Sequence, residues 1–448
     1  MKPAIWTSRV ALAGLLLAGL ARPSAAQRPD STARRDSIAR ADSIARADSI
    51  AIARELERMQ GAAATPAGGA ATAQGPTGSG GPTNPRLLPD ISTIGEVVAD
   101  FTPEESTLET GRRIDIREVE LAIASAVDPY FRADVILGLS DLEKIAIEES
   151  YITATALPFG LQGRLGRFHM PIGKQNTTHR GELQTIEYPH VIQRFLGEEA
   201  AKGTGLWLSQ IFSPFGFYQE LLVTAVDHFG EEGEDEEGLA TREAPNKRIT
   251  GMGFSARLRN YVDISQAANI EVSASAATGR RTQPIACDGV AECAGFEGAP
   301  GTNARQSVVG ADITYRWRPL QQGLYTSFIL QAEFMRQLNQ RSPALPLVEG
   351  ATVAYAGPTR GFNGAYVFTR YQYGRRRYAG ARFDWLQDPF YDGRTFTAAS
   401  GYLQYFPTEF SKFVLAYERT MPPAGGRKLN RILFQSTFAV GPHRPHPF

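Results

Sequence analysis

Residues 309–317 read Val309-Gly310-Ala311-Asp312-Ile313-Thr314-Tyr315-Arg316-Trp317. Val309, Ala311, Ile313, Tyr315 and Trp317 fall on one side of a period of two, and Gly310, Asp312, Thr314 and Arg316 on the other. Successive side chains of a strand point to opposite faces, so this stretch is a strand with one oily and one charged face. The pattern recurs. Val119, Leu121 and Ile123 interleave with Glu118 and Glu120, and Phe131, Val135, Leu137 and Leu139 with Arg132 and Asp134. Ala379, Ala381, Phe383 and Trp385 interleave with Gly380, Arg382 and Asp384.

Such a face can pack on a second sheet, as in a soluble sandwich, or on lipid. Aromatics at the ends of the oily faces (Tyr315 and Trp317, Tyr371 and Tyr373, Phe383 and Trp385) favour lipid, because they suit an interfacial girdle. Length favours it too: the segments run about 10–14 residues, enough for a tilted strand to cross a bilayer, where soluble strands centre on about 5–6. Sixteen segments result: 91–101, 112–127, 129–140, 143–157, 159–169, 204–213, 215–228, 249–260, 266–278, 305–318, 322–338, 362–373, 376–387, 394–406, 409–420 and 428–440. Alternation is weakest in 204–228. The connections alternate as well. Tight turns such as Asp128-Pro129, Pro158-Phe159-Gly160, Ser213-Pro214-Phe215-Gly216, Tyr261 to Gln266, Pro319 to Gly323 and Gly374-Arg375 occupy one side. The long connections 170–203, 229–248, 279–304 and 339–361 occupy the other. Short periplasmic turns and long outer loops are the pattern of an all-β transmembrane antiparallel barrel.

The chain before the barrel has a different character. Lys2 and Arg9 precede an apolar stretch from Val10 to Leu20 and a small-residue site at Ser24-Ala25-Ala26. This predicts a secretory signal peptide over 1–26, too short in its apolar part for a spanning helix. Residues 27–60 repeat Asp-Ser-Ile-Ala-Arg-Ala, with Asp30/Arg34, Asp36/Arg40 and Asp42/Arg46 spaced for favourable helical pairs. Ile38, Ile44 and Ile50 recur every six residues, so each lies about 240° round a helix from the last and no heptad seam forms. We read a low-complexity, partly helical periplasmic arm, either a spacer or a contact to peptidoglycan or to another copy. Residues 61–85 are almost wholly Gly, Ala, Pro, Thr and Ser, a flexible linker. The barrel takes 86–448.

Composition limits function. Of 448 residues 47 are basic and 47 acidic, so no surplus of positive charge exists to hold nucleic acid. The polar faces line whatever the barrel encloses, and the phase of alternation sends inward Glu118, Glu120, Arg132, Asp134, Glu149, Arg164, Arg257, Arg259, Asp312, Arg316, Glu333, Arg370, Arg382 and Asp384, together with Lys412 and Glu418. Eight of each sign predict no strong ion selectivity. The six histidines (His169, His179, His190, His228, His443, His446) accompany no nucleophile motif, and His179 with His190 matches no compact metal spacing. No enzyme, cofactor or metal is expected. Cys287 and Cys293, in one outer loop of an exported chain, should form a disulfide. Six of the seven residues 231–237 are carboxylates, a solvated loop tip or a site for divalent cations near the outer leaflet.

Several blocks resemble outer-membrane porin-like proteins related to the phosphate-selective porins. They are Arg117-Glu118-Val119-Glu120-Leu121, Val127-Asp128-Pro129-Tyr130, Gly166-Arg167-Phe168-His169-Met170-Pro171-Ile172-Gly173, Gly380-Ala381-Arg382-Phe383-Asp384-Trp385, Thr408-Glu409-Phe410-Ser411 and Phe434 to His443. Members of this group are sometimes labelled TonB-dependent receptors. Such a receptor needs a plug and about 22 strands, more than the 363 residues (448 − 85) from Arg86 onward hold. The inward face also lacks the lysine richness that phosphate selectivity would ask for. The resemblance implies a homotrimer, contact with outer-membrane lipid and lipopolysaccharide, and handling by the barrel-assembly machinery through a C-terminal aromatic, either Phe448 or Phe438. It also gives a role to the connection after the fifth strand, from which general porins fold a loop into the pore. That connection carries Lys174, His179, Arg180, His190, Arg194, Glu198 and Glu199. An inward loop makes these a constriction; an outer one makes them a surface for lipopolysaccharide or a neighbouring subunit. The expected function is passive diffusion of small hydrophilic solutes or ions across the outer membrane of a Gram-negative-type bacterium. The alternatives are a structural tether whose arm holds the cell wall, or an outer-membrane hydrolase.

Overall fold

A computed structural model describes residues 89–441, apart from 109, 141–143, 156, 198, 228, 230–250, 282–303, 342–358, 390–392 and 424–427. The signal peptide, arm, linker, acidic run 231–237, Glu198, His228, the Cys287–Cys293 pair, His443, His446 and Phe448 lie outside the described residues.

Alternating sequence becomes sixteen strands: β1 (Asp90–Asp100), β2 (Ile114–Ala126), β3 (Phe131–Ser140), β4 (Lys144–Ala154), β5 (Leu161–His169), β6 (Lys202–Phe212), β7 (Tyr218–Val226), β8 (Gly253–Ser265), β9 (Ala268–Arg281), β10 (Ala304–Trp317), β11 (Thr326–Arg341), β12 (Thr359–Gly374), β13 (Arg377–Asp388), β14 (Arg394–Thr408), β15 (Ser411–Met421) and β16 (Asn430–Val440). Each pairs antiparallel with its chain neighbours, and β1 pairs with β16, so the sheet is a closed barrel. Closure leaves no strand edge with unpaired backbone groups, the condition for a sheet to stand in hydrocarbon. At the seam Phe438 lies opposite Gly95, and its ring occupies the space a side chain at position 95 would need. No helix among the described residues is long and apolar enough to cross a membrane, which says nothing about crossing by strands.

The strands match the sixteen segments read from alternation, with small differences at the ends. The turn read as Tyr261 to Gln266 shrinks to Gln266-Ala267, because the β8–β9 ladder continues through Asp263↔Asn269 and Ser265↔Ala268. Among the register shifts, two bulges bear on the charged inner face. In β2, Glu118 pairs with Glu96 and Ile116 with Val97, which leaves Arg117 as the extra residue. In β4, Glu149 pairs with Ile136 and Ile147 with Leu137, which leaves Glu148 extra. A bulge turns two neighbouring side chains toward one face, and here each brings a second charge inside.

The outward face is apolar and exposed: Ile147, Leu165, Val272, Ile313, Phe334, Val367, Phe383, Leu403 and Leu415 are each more than a third exposed. The buried apolar core lies inside the barrel. Met170, Ile172, Leu183, Ile186, Tyr188, Val191, Ile192, Phe195 and Leu196, all from the connection between β5 and β6, pack with inward residues such as Leu222, Val226, Val308, Met335, Tyr366, Leu386 and Phe396. Inward Leu222 and Val226 explain the weak alternation of β7, since both its faces are oily there.

Candidate functional site

The site is the lumen and the β5–β6 connection that crosses it. Of the charged residues assigned inward by alternation, Arg257, Asp312 and Arg382 are each buried between exposed neighbours on their strands. The connection starts at Met170 and ends at Ala201. It contains 3-10 turns at Gln175–Thr177 and Arg180–Glu182 and one short helix, α1 (His190–Phe195). Asn176 ties its two ends, its side-chain amide donating to the carbonyls of Met170 (2.8 Å) and Ala201 (3.0 Å) and its side-chain oxygen accepting from the Ala201 N–H at 2.6 Å.

The loop is fixed to the wall in three places. On β8 to β11, the Gly173 N–H donates to Ser275 at 3.0 Å and Arg257 donates to the Gly173 carbonyl. Gly173 has φ +63°, and a Cβ there would strike the Glu333 carboxylate, so only glycine allows this approach. Lys174 pairs with Glu271 at 3.0 Å, and Glu271 also meets Arg316 at 3.4 Å and Arg259 at 3.4 Å. Arg257 holds Asp312 at 3.1 Å and Arg259 holds Glu220 at 2.7 Å. Burial pushes the Lys174 ammonium down to about 8; Glu271 opposes this, while Arg316 and Arg257 add to it.

On β12 to β16, Arg382 bonds Asp384 (2.7 Å), Glu418 (3.3 Å) and the loop carbonyl of Glu187 (2.6 Å). The His190 N–H donates to Asp384 at 3.0 Å, and Arg431 holds Glu418 at 2.6 Å. Lys412 donates to the carbonyls of Gly181 (3.0 Å) and Leu183 (2.9 Å). Across the seam, bulged Arg117 bonds Glu96, the Glu187 carboxylate (2.8 Å) and the Ile186 carbonyl (2.8 Å). Burial alone would raise the Glu187 carboxyl; Arg117 and Arg180 hold it below its ordinary range.

On β2 to β6, His179 stands 3.3 Å from Glu120 and 3.3 Å from Glu149, and Lys202 bonds Glu148 and Glu199. Arg180 lines the same small cavity. Arg194, on α1, reaches Asp388 at 3.6 Å. His179 and His190 are thus on different walls; His179 faces His169 instead, with ring centroids 4.8 Å apart.

Toward the short-turn end the lumen changes. Arg132 reaches only Asp134 on its own strand, at 3.3 Å. Arg164 lies between the rings of Tyr151 and Trp207, 4.8 and 4.4 Å from their centroids, and Arg370 lies 4.8 Å from that of Tyr378. Neither Arg164 nor Arg370 pairs with a carboxylate among the described residues. Stacking lets a guanidinium keep its charge and its donors available without a counter-ion.

Sequence reading missed Glu96, Arg117, Glu148, Glu187, Lys202, Glu220, Glu271 and Arg431. Glu271 was available by alternation, since it shares a face with Asn269, Ser273 and Ser275. Arg117-Glu118 and Glu148-Glu149 carried another signal: two adjacent charges in an otherwise alternating strand mark a bulge.

No family model matches the chain. A protein of Aquifex aeolicus (strain VF5) described as uncharacterized is 25% identical over 364 residues, covering 77% of this chain and 72% of that protein. The fold is similar to the outer membrane channel DcaP of Acinetobacter baumannii (TM-score 0.48, 10% identity, 79% of this chain and 97% of that one). It is also similar to OprB of Pseudomonas putida (0.48, 10%, 79% and 94%) and to an anion-selective porin from Comamonas acidovorans (0.46, 9%, 79% and 98%).

Proposed function

We propose that the protein is an outer-membrane channel, in a Gram-negative-type envelope, through which small hydrophilic solutes or ions diffuse passively. The observation that carries this reading is the sorting of side chains between the two faces of a closed barrel. Outward positions are oily round the circumference and the charges gather on the inward face beside the apolar cluster of the loop, whereas a barrel that must dissolve in water carries its charges outside. An outer surface of this kind is stable only against hydrocarbon, and a charged interior has a use only where water or solute meets it.

In this reading the β5–β6 loop is the constriction. Lys174, His179, Arg180, His190, Arg194 and Glu199, with the inward wall charges, set the size and charge of what passes. Paired charges near the loop and stacked Arg164 and Arg370 further down give a path with little net preference and a mild hold on anions. The lumen has no lysine-rich face, so selectivity for phosphate is not part of the proposal. Passive flow asks for no cofactor and no catalytic group. By the resemblance to porins the assembly is a homotrimer in contact with lipopolysaccharide, with residues 27–60 in the periplasm.

Planar-bilayer recording of the purified full-length protein tests the reading. Stepwise conductance is the expected result, with a reversal potential near zero in a salt gradient. The apolar cluster inside the barrel favours a second reading, a plugged tether. Electrical silence combined with peptidoglycan pull-down through residues 27–60 would select it.

A further inference from the structure

We infer that Glu149, His169 and His179 form a site for one divalent transition-metal ion of the zinc class, where the inserted loop meets the barrel wall. One ligand atom from each comes within 4.8 Å of the others, and all three residues are buried. Two imidazoles and a carboxylate are a donor set that zinc-class ions take readily and that magnesium and calcium do not.

The orientation of His169 is the independent observation. Its Nδ1 lies 2.8 Å from the backbone carbonyl of Asn176. A carbonyl only accepts, so Nδ1 carries the proton and Nε2 keeps a lone pair. That Nε2 has no hydrogen-bond partner, although the residue is only 7% exposed. An imidazole with Nδ1–H given to a carbonyl and a bare, buried Nε2 is arranged as a metal ligand is. Asn176, the side chain that ties the loop ends together, fixes this orientation.

His179 lies between two carboxylates. Its Nδ1 faces Glu120 at 3.3 Å and its Nε2 faces Glu149 at 3.3 Å. Two ligands about 2.0–2.1 Å from a tetrahedral ion stand roughly 3.3–3.4 Å apart, so Glu149 and His179 already have the spacing. The widest pair must close by about 1.4 Å, a small rotation of the side chains.

Charge agrees. The adjoining cavity is small. Glu118, Glu120, Glu148 and Glu199 line it against Arg180 and Lys202. With Glu149, five carboxylates face Arg180, Lys202 and, beside Glu199, Arg167, a surplus that a divalent ion offsets. Since Glu149 and His169 belong to the wall and His179 to the loop, the ion would fasten one to the other. The site depends on the fold alone, whether or not the barrel conducts.

The test uses full-length protein in detergent, stripped with chelator and titrated calorimetrically with zinc chloride, with magnesium and calcium as comparison ions. The wild type should bind one zinc ion more per chain than His169→Gln or His179→Gln, and magnesium and calcium should not compete. Equal stoichiometry in wild type and both variants would overturn the site and leave His179 as an imidazolium bridging two carboxylates. Should the variants fail to fold, cobalt decides on the wild type: the strong visible absorption of a four-coordinate ion supports the site, and only a weak six-coordinate spectrum contradicts it.

Discussion

The inserted loop meets two walls of different electrical character. At the β8 to β11 wall Lys174 joins Arg257, Arg259 and Arg316, and these four cations face Glu220, Glu271 and Asp312 in short pairs, while Glu333 accepts from Tyr366 and from the Lys174 backbone N–H. Charge there is largely cancelled in pairs. At the β2 to β6 wall His179 enters among carboxylates that outnumber the cations around them. The same construction, charges on the inward face of a strand, makes a closed ion-pair network in one place and an open negative pocket in the other. The bulge at Glu148-Glu149 adds to the second a carboxylate that strict alternation would have sent to lipid.

The largest effect should come from removing both contacts at once. Replacing residues 173–199 by a short Gly/Ser linker should raise single-channel conductance severalfold, because the obstruction leaves and the barrel stays closed. An unchanged conductance would show that solutes do not pass the loop. Next come the two walls separately. Glu271→Gln leaves the half-buried Lys174, Arg259 and Arg316 beside a neutral amide and should cost about 1.5–3 kcal/mol, read from denaturant unfolding in detergent. Glu118→Gln removes one of several like charges and should change stability by no more than about 1 kcal/mol, with a gain as readily as a loss. Equal losses in the two variants would remove the distinction between the walls.

A smaller effect follows from Lys174. Its pKa lies near 8, so it is charged at pH 7 and mostly neutral at pH 9. Losing that positive charge makes the lumen more negative, and the reversal potential should move toward cation preference over this interval. Lys174→Met should reduce the step, and a step of full size in the variant would assign it to other groups. Smallest of all, Arg164→Glu and Arg370→Glu should each shift the reversal potential toward cations, since each reverses an inward charge without a carboxylate partner. No shift from either would take the short-turn half of the lumen out of the ion path.

Period-two alternation carried most of the fold, because lipid outside and charge inside make the two faces chemically opposite. Residues 309–317 showed both faces, and the inward set from Glu118 to Asp384 follows from that one rule. The rule is silent where the loop fills the barrel: Leu222 and Val226 face inward and are oily, since they belong to the apolar cluster the loop brings inside. It also fails at bulges, where Arg117 and Glu148 turn inward. The His169–His179 pairing was invisible for a third reason. A loop that returns to its own root brings together residues ten apart along the chain, and no compact ligand spacing records that.

The account rests on which solvent touches which face, and spin labels along β14 read this directly. Labels at Ala399 and Leu403 should be quenched by oxygen, which concentrates in lipid, and those at Ser400 and Tyr402 should be shielded from it, with any water-soluble nickel chelate contact confined to these inward positions. Strong nickel accessibility at Ala399 and Leu403 in membrane-reconstituted protein would contradict it.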